Sequence, residues 1–176
     1  APRCAIAVGN PVRPEIIALP APEVRFAEHG ERPRLLVLGG SLGARALNQL
    51  IPSALARLAP QRRPLVWHQA GERSCAEAQE AYHRAGVEAE VKAFETDMAG
   101  AYGWADLVIC RAGALTVSEL AAAGLGSILV PFPYAVDDHQ TRNAGYLVEA
   151  GAALCIQQSA LSAETLAELL EALLGA

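Results

Sequence analysis

The sequence predicts an α/β domain, a doubly wound and mostly parallel sheet of about six strands, and three observations carry that prediction. From residue 34 onward, short apolar runs alternate with segments of helical period. That alternation is the signature of βαβ units. The runs themselves, LVIC at 107–110 and ILV at 128–130, are continuously apolar, as in strands covered on both faces. At 176 residues, 52% apolar and 19% charged, the chain can bury one sizeable core and is not a disordered segment.

The strands are expected at 34–38, 65–68, 90–94, 106–110, 127–130 and 153–156. Between the first two, Leu47, Leu50, Ile51, Ala54, Leu55 and Leu58 recur at helical spacing, so a helix covers the sheet there. The connection across 97–104 is short and is expected to hold a single helical turn. Residues 1–33 carry six of the eleven prolines and no sustained period. They read as a linker with one short strand over 5–8. The chain opens on Ala1, which points either to processing or to a piece of something longer. In open α/β sheets, ligands bind beyond the carboxyl ends of the strands. The loops after residues 38, 68, 94, 110 and 130 are therefore where function is sought.

Composition excludes several classes. A net charge of −5 opposes an electrostatic nucleic-acid binder, which needs a basic face. Arg57, Arg62 and Arg63 read as a solvated helix C-terminus. The four cysteines, Cys4, Cys75, Cys110 and Cys155, form no C-x-x-C pair and have no histidine at metal-ligand spacing. Cys110 and Cys155 end apolar runs and read as buried thiols in a reducing cytosol. No apolar run reaches the length of a membrane span. No metal and no cofactor are expected.

The first loop, GGSLGAR from Gly39, satisfies the G-x-S-x-G pattern of a nucleophile elbow around Ser41. An elbow serine needs a later acid and a histidine. His68 comes in the wrong order, His83 lies in a polar helix, and His139 directly follows Asp137 and Asp138. The nucleophile reading fails on its partners. The dinucleotide fingerprint fails too, because Ser41 stands where its third position wants glycine and no carboxylate ends the second strand. What remains is a helix N-terminus with free amides and a hydroxyl, suited to a phosphate oxygen. A tight turn whose glycines only permit close packing is the alternative.

The loop CRAGALTVSELAAAG supports two accounts. Thr116 and Glu119 fit the capping box S/T-x-x-E, with the helix starting near Leu115. Equally, Glu119, one turn into a helix at the binding edge, can accept two hydrogen bonds from a ribose diol. Such charge-assisted bonds contribute roughly 1.5–3 kcal/mol each. Arg111 can be a structural charge at the strand end. In VPFPYAVDDHQTRNAG, Asp137 and Gln140 fit a D-x-x-Q capping box. Asp138, His139, Gln140 and Asn143 can instead read sugar hydroxyls, though not all from one helical face. Arg13, between two prolines in NPVRP, is a phosphate candidate. Trp67, His68 and Trp104 read first as core and loop residues.

Taken together, these loops resemble one family, the MurG glycosyltransferases. The matching stretches are GNPVR at 9–13, GGSLGARALN at 39–48, VWHQAG at 66–71, FETDMAGAYGWADLVICRAGALTVSELAAAG at 94–124 and DDHQTRNA at 137–144, in the family's order. The resemblance implies the carboxy-terminal, donor-binding half of a two-domain GT-B enzyme. Residues 1–33 would be the interdomain connection and 34–176 the UDP-sugar domain. It further implies that Gly40, Ser41, Leu42 and Gly43 meet the diphosphate of UDP-N-acetylglucosamine with Arg13 close by. Glu119 would take the ribose, and Ala114, Leu115 and Thr116 would line the nucleotide path. Gln140 and Asn143 would face the sugar.

The uracil would be read by backbone near Phe94, Glu95 and Thr96. Glu95 and Thr96 depart from the Ile-Asp expected there, which leaves their side chains without an inherited role. Leu42 stands where glutamine is common, so that polar contact is lost. The implied acceptor is the lipid-linked muramyl-pentapeptide, bound through an amino-terminal domain that also carries the base and is missing from this chain, as is a final helix. The fragment would bind donor without catalysing transfer, and the parent would sit at the inner face of the cell membrane. A UDP-N-acetylglucosamine 2-epimerase-like half-domain and a non-catalytic nucleotide-binding module are the alternatives.

Overall fold

Six strands form, each ending within two residues of its expected limits, in a computed structural model that describes residues 9–40 and 44–175. They are β1 (Arg34–Leu38), β2 (Leu65–Gln69), β3 (Glu90–Lys92), β4 (Leu107–Cys110), β5 (Gly126–Leu129) and β6 (Ala153–Cys155). All pairs are parallel, in the order β3-β2-β1-β4-β5-β6. The winding reverses between β1 and β4, and this switch point opens a crevice beyond their carboxyl ends. The doubly wound fold expected from the alternation of elements is the one observed.

The period-two geometry of a strand splits β1 between two cores. Leu35 and Val37 face one side, with Leu47, Ile51 and Leu55 of α3 (Arg45–Arg57), Tyr82 of α4 (Cys75–Ala85), and Leu166 and Leu170 of α8 (Ala163–Leu174). Leu36 and Leu38 face the other, with Tyr102 of α5 (Met98–Trp104), Val117 and Leu120 of α6 (Ala114–Ala123), and Leu147 of α7 (His139–Glu149). Every apolar residue of β1 is buried, which accounts for its unbroken LLVL run. Among the described residues, no helix is long and apolar enough to cross a membrane.

Two sequence expectations take a different form. Residues 14–27, expected as linker, form two short helices, α1 (Pro14–Ile17) and α2 (Pro22–Ala27), each begun by a proline whose missing N–H costs nothing at a first turn. Ile16 is buried in the second core, and Arg25 is buried beneath α6, donating to Pro20 O and to Ala123 O. Arginine thus fastens this segment where a periodic apolar stripe is lacking. The strand expected over 5–8 lies outside the described residues. The single turn expected over 97–104 is instead the seven-residue α5, begun by the Asp97 side chain accepting from Gly100 N at 2.8 Å.

The arginines at the end of α3 do more than face solvent. Arg57 and Arg62 pair with Glu164 and Glu171 of α8 at 2.6 and 2.8 Å. Arg63 donates to Ala56 O, Leu58 O and Gly86 O, capping the C-terminal ends of α3 and α4.

Candidate functional site

A cleft of about 670 Å³ occupies the switch point. Its walls come from the segment before α1 (Pro11, Val12, Arg13), the ends of β1 and β2 (Leu38, Gly40, Gln69), the turn before α5 (Phe94, Glu95) and the start of α6 (Leu115, Thr116, Glu119). Arg13, Gly40, Phe94, Glu95, Leu115, Thr116 and Glu119 were all expected at a donor site, and the fold brings them to one place. Ser41, Leu42 and Gly43 lie outside the described residues. Gly40 has φ +77° with open space where a Cβ would stand. Its glycine is required by conformation and not by close packing.

Glu119 is buried at the cleft edge. Its Oε1 accepts from Arg13 Nε and Nη2 at 2.9 and 2.8 Å, and its Oε2 from Tyr102 Oη at 3.1 Å. The capping-box account of this residue fails. Gly113 occupies the N-cap with no side-chain bond, and Thr116 is already the third helical residue. Nothing local needs the carboxylate, so its three bonds are tertiary. With the N-cap side chain absent, the first amides of α6 are left to other partners, the usual arrangement for receiving an anion.

Glu95 is spent internally. Its Oε1 accepts from Asp97 N at 2.8 Å and its Oε2 from Lys92 Nζ at 3.1 Å, and Lys92 in turn lies 4.1 Å from the Trp67 ring centroid. The carboxylate thereby fixes the turn that carries Phe94, which remains half-exposed and lines the cleft together with Leu115. Thr96 lines a separate shallow depression with Asp97 and Arg13.

Arg111 lines the cleft floor. It donates to Val130 O and Pro131 O at 3.1 Å and to Gln158 Oε1 at 2.7 Å, each a neutral oxygen. Burial lowers its pKa, yet guanidinium remains charged near neutrality. The cleft floor is thus cationic, and α6 adds its positive end. Cys110, at the same floor, is a buried thiol pushed up to about 12 by burial, and so is no nucleophile.

Gln140 and Asn143 share a face of α7 but do not line the cleft. Gln140 Oε1 accepts from Phe132 N at 2.9 Å and Asn143 Nδ2 donates to Ala112 O at 3.1 Å, tying α7 to the loops after β4 and β5. The D-x-x-Q capping box does not form. Asp138 is the N-cap, its side chain accepting from Thr141 Oγ1 at 2.6 Å. Asp137 and Asp138 both hold positive φ, at 53° and 50°. Consecutive non-glycine residues there store strain of about 1–3 kcal/mol each, a cost often found at ligand-contacting loops. His139 is the exposed first residue of α7.

Sequence reasoning missed Tyr102 and Asn10. Asn10 Nδ2 donates to Ser118 Oγ at 3.0 Å and ties the entering segment to α6. Neither has a local signature, since Asn10 lies 108 residues and Tyr102 17 residues from its partner on α6, and only the fold brings them near. Trp67 and His68 are core residues as expected. His68, fully buried, sits between Tyr82 Oη at 2.9 Å and Asn48 Oδ1 at 3.0 Å. Asn48 Nδ2 donates to Ala70 O, which leaves its carbonyl toward His68. The ring therefore carries its proton on Nε2 and accepts from Tyr82 at Nδ1.

Residues 34–175 match the family model of the glycosyltransferase family 28 C-terminal domain. The chain belongs to that family. Among its relatives, the UDP-N-acetylglucosamine--N-acetylmuramyl-(pentapeptide) pyrophosphoryl-undecaprenol N-acetylglucosamine transferase of Chromohalobacter salexigens is 61% identical over 168 residues, 95% of this chain and 46% of the relative. The enzyme of the same name from Marinobacter nauticus is 59% identical over 163 residues, 93% of this chain and 45% of the relative. The crystal structure of Acinetobacter baumannii MurG superposes with a TM-score of 0.82 at 42% identity, covering 90% of this chain and 46% of that one. The chain spans about half the length of these relatives and corresponds to the carboxy-terminal half of a MurG-like GT-B enzyme.

Proposed function

We propose that the chain is the donor-binding half of an inverting glycosyltransferase that moves N-acetylglucosamine from UDP-N-acetylglucosamine to a lipid-linked muramyl-pentapeptide, from lipid I to lipid II. The observation that carries the reading is the cleft at the switch point. There a buried carboxylate, Glu119, lines one cleft with the exposed apolar side chains of Phe94 and Leu115 and with Arg13 and Arg111. Relatives bearing that transferase's name at about 60% identity support the choice of sugar nucleotide.

In this reading uracil packs against the apolar side chains of Phe94 and Leu115, and backbone at 94–96 reads its edge. Glu119 accepts from the ribose. The diphosphate meets the amides at 40–43, the Ser41 hydroxyl and the first turn of α6, with Arg13 and Arg111 adding charge. The α6 dipole and the two arginines offset the negative charge that grows on the leaving UDP as the acceptor hydroxyl attacks the anomeric carbon. In this reading no step is routed through a metal, and the charge of the diphosphate is met by these groups. Gln140 and Asn143 act on the sugar side by holding α7 to the loops after β4 and β5. The base and the acceptor site belong to the other half of the parent, which acts at the inner face of the membrane. Transition-state contacts need both halves, so this chain binds donor and does not turn over.

Calorimetry tests the reading directly. UDP-N-acetylglucosamine should bind better than UDP-glucose and much better than NAD. Comparable binding of NAD, or no binding of UDP, refutes it.

A further inference from the structure

Glu119 receives its three hydrogen bonds unevenly. Arg13 places both Nε and Nη2 on Oε1, at 2.9 and 2.8 Å, while Oε2 holds only the Tyr102 hydroxyl, at 3.1 Å. A guanidinium beside a carboxylate commonly forks across both oxygens, one N–H to each. Here the fork closes on the one oxygen that Tyr102 does not hold. A carboxylate oxygen accepts about two hydrogen bonds. Oε1 is filled, and Oε2 keeps capacity for one more.

Tyr102 is well placed to enforce this. Its ring is fully buried with Ile16, Val117 and Leu120 in the core below the cleft, and its own helix is set by the Asp97 cap and the Glu95 bond to Asp97 N. Burial first, and then the nearby Cys110 and Glu119 side chains, raise its phenol pKa, so the hydroxyl stays a donor through the neutral range. Arg13 is half-exposed and free to change partner at small cost. Without the Tyr102 hydroxyl, the Arg13 fork can spread across both carboxylate oxygens and turn Oε2 out of the orientation that Tyr102 fixes, so that a ligand hydroxyl meets it less directly.

We infer that Tyr102 is a positioning residue for nucleotide recognition. It holds Glu119 Oε2 away from Arg13 and reserves one lone pair for a ribose hydroxyl, so that the cleft distinguishes ribose from a sugar lacking that hydroxyl. The inference rests on the proposal that Glu119 takes the ribose.

The test compares UDP with 2′,3′-dideoxy-UDP by calorimetry on the full chain and on Tyr102→Phe. The wild-type chain should prefer UDP. In Tyr102→Phe the UDP Kd should rise about five- to tenfold and the dideoxy-UDP Kd by less than about twofold, shrinking the ratio between them. In a Glu119→Gln background the same change should leave the ratio where Glu119→Gln alone puts it. Both constants come from one preparation, so any loss of folded fraction cancels in the ratio. An unchanged ratio in Tyr102→Phe, or equal weakening of both nucleotides, overturns the positioning role while leaving the Glu119 proposal standing. A wild-type chain that binds the two nucleotides equally overturns both.

Discussion

Replacing Glu119 by glutamine separates a ligand-binding carboxylate from a structural one. The change keeps the side chain's shape and one acceptor oxygen, so Tyr102 Oη retains a partner. Arg13 loses an ion pair, but its side chain is 47% exposed, so the loss to folding is screened and stays below about 1 kcal/mol. For a domain of this size that lowers Tm by no more than about 4 °C. Binding changes more. The one charge-assisted bond that Oε2 can still accept from the ribose, at roughly 1.5–3 kcal/mol, becomes a neutral one at roughly 0.5–1.5. The difference, about 1 kcal/mol, raises the UDP Kd roughly five- to tenfold. Calorimetric titration with UDP and a thermal melt of the same protein read both quantities. A Glu119→Gln chain that binds UDP within about twofold of wild type while its Tm falls would place the residue in the fold and not in the site.

Three further outcomes follow from the same structure. Burial holds the folded-state pKa of His68 at about 3, below its ordinary 6.5, so the unfolded chain binds the extra proton between those values. Its contribution is present above pH 6.5 and is lost as pH falls, at roughly 1 kcal/mol per pH unit. Denaturant melts across that range should show a shallower slope in His68→Gln than in wild type. Gly124 ends α6 at φ +61°, and an added Cβ would stand 2.6 Å from Pro22 Cγ, so Gly124→Ala should cost about 1–3 kcal/mol in a denaturant melt and loosen α2 first, visible as early amide exchange over 22–27. UDP affinity should be the same with and without EDTA, and a fall of tenfold or more (about 1.4 kcal/mol) would mean that a metal carries the diphosphate.

Much of the fold was legible because its signals are local. The unbroken LLVL and LVIC runs report strands buried on both faces, and the interrupted period of α3 reports a single apolar stripe. The two turns before β1 escaped because four- and six-residue helices are too short to show a period. What marks them is proline at each first position, which in a linker reads equally well as a break. The arginines of α3 were half legible for a related reason. Their place at a helix end is local, but Glu164 and Glu171 lie more than a hundred residues on, and no spacing rule connects them.

Glu119 shows where such reading stops. Its sequence neighbourhood, T-V-S-E, supports helix initiation and ligand binding equally, because both uses want a carboxylate in the first turns of a helix. The decision turns on where the helix begins. Starting at Ala114 after Gly113, α6 carries Thr116 past the capping position and turns Glu119 toward Arg13 and Tyr102. A capping box with Thr116 as the cap would need the helix to begin at Val117, and the actual start three residues earlier changes the chemistry open to the side chain. That start is set by the tertiary course of β4 into its turn, and boundaries of this kind are the part of a helix least fixed by its own residues. A carboxylate buried beside a half-exposed arginine and a buried phenol serves either the tertiary bonds it makes or a ligand that enters the cleft, and the paired titration and melt of Glu119→Gln separate the two.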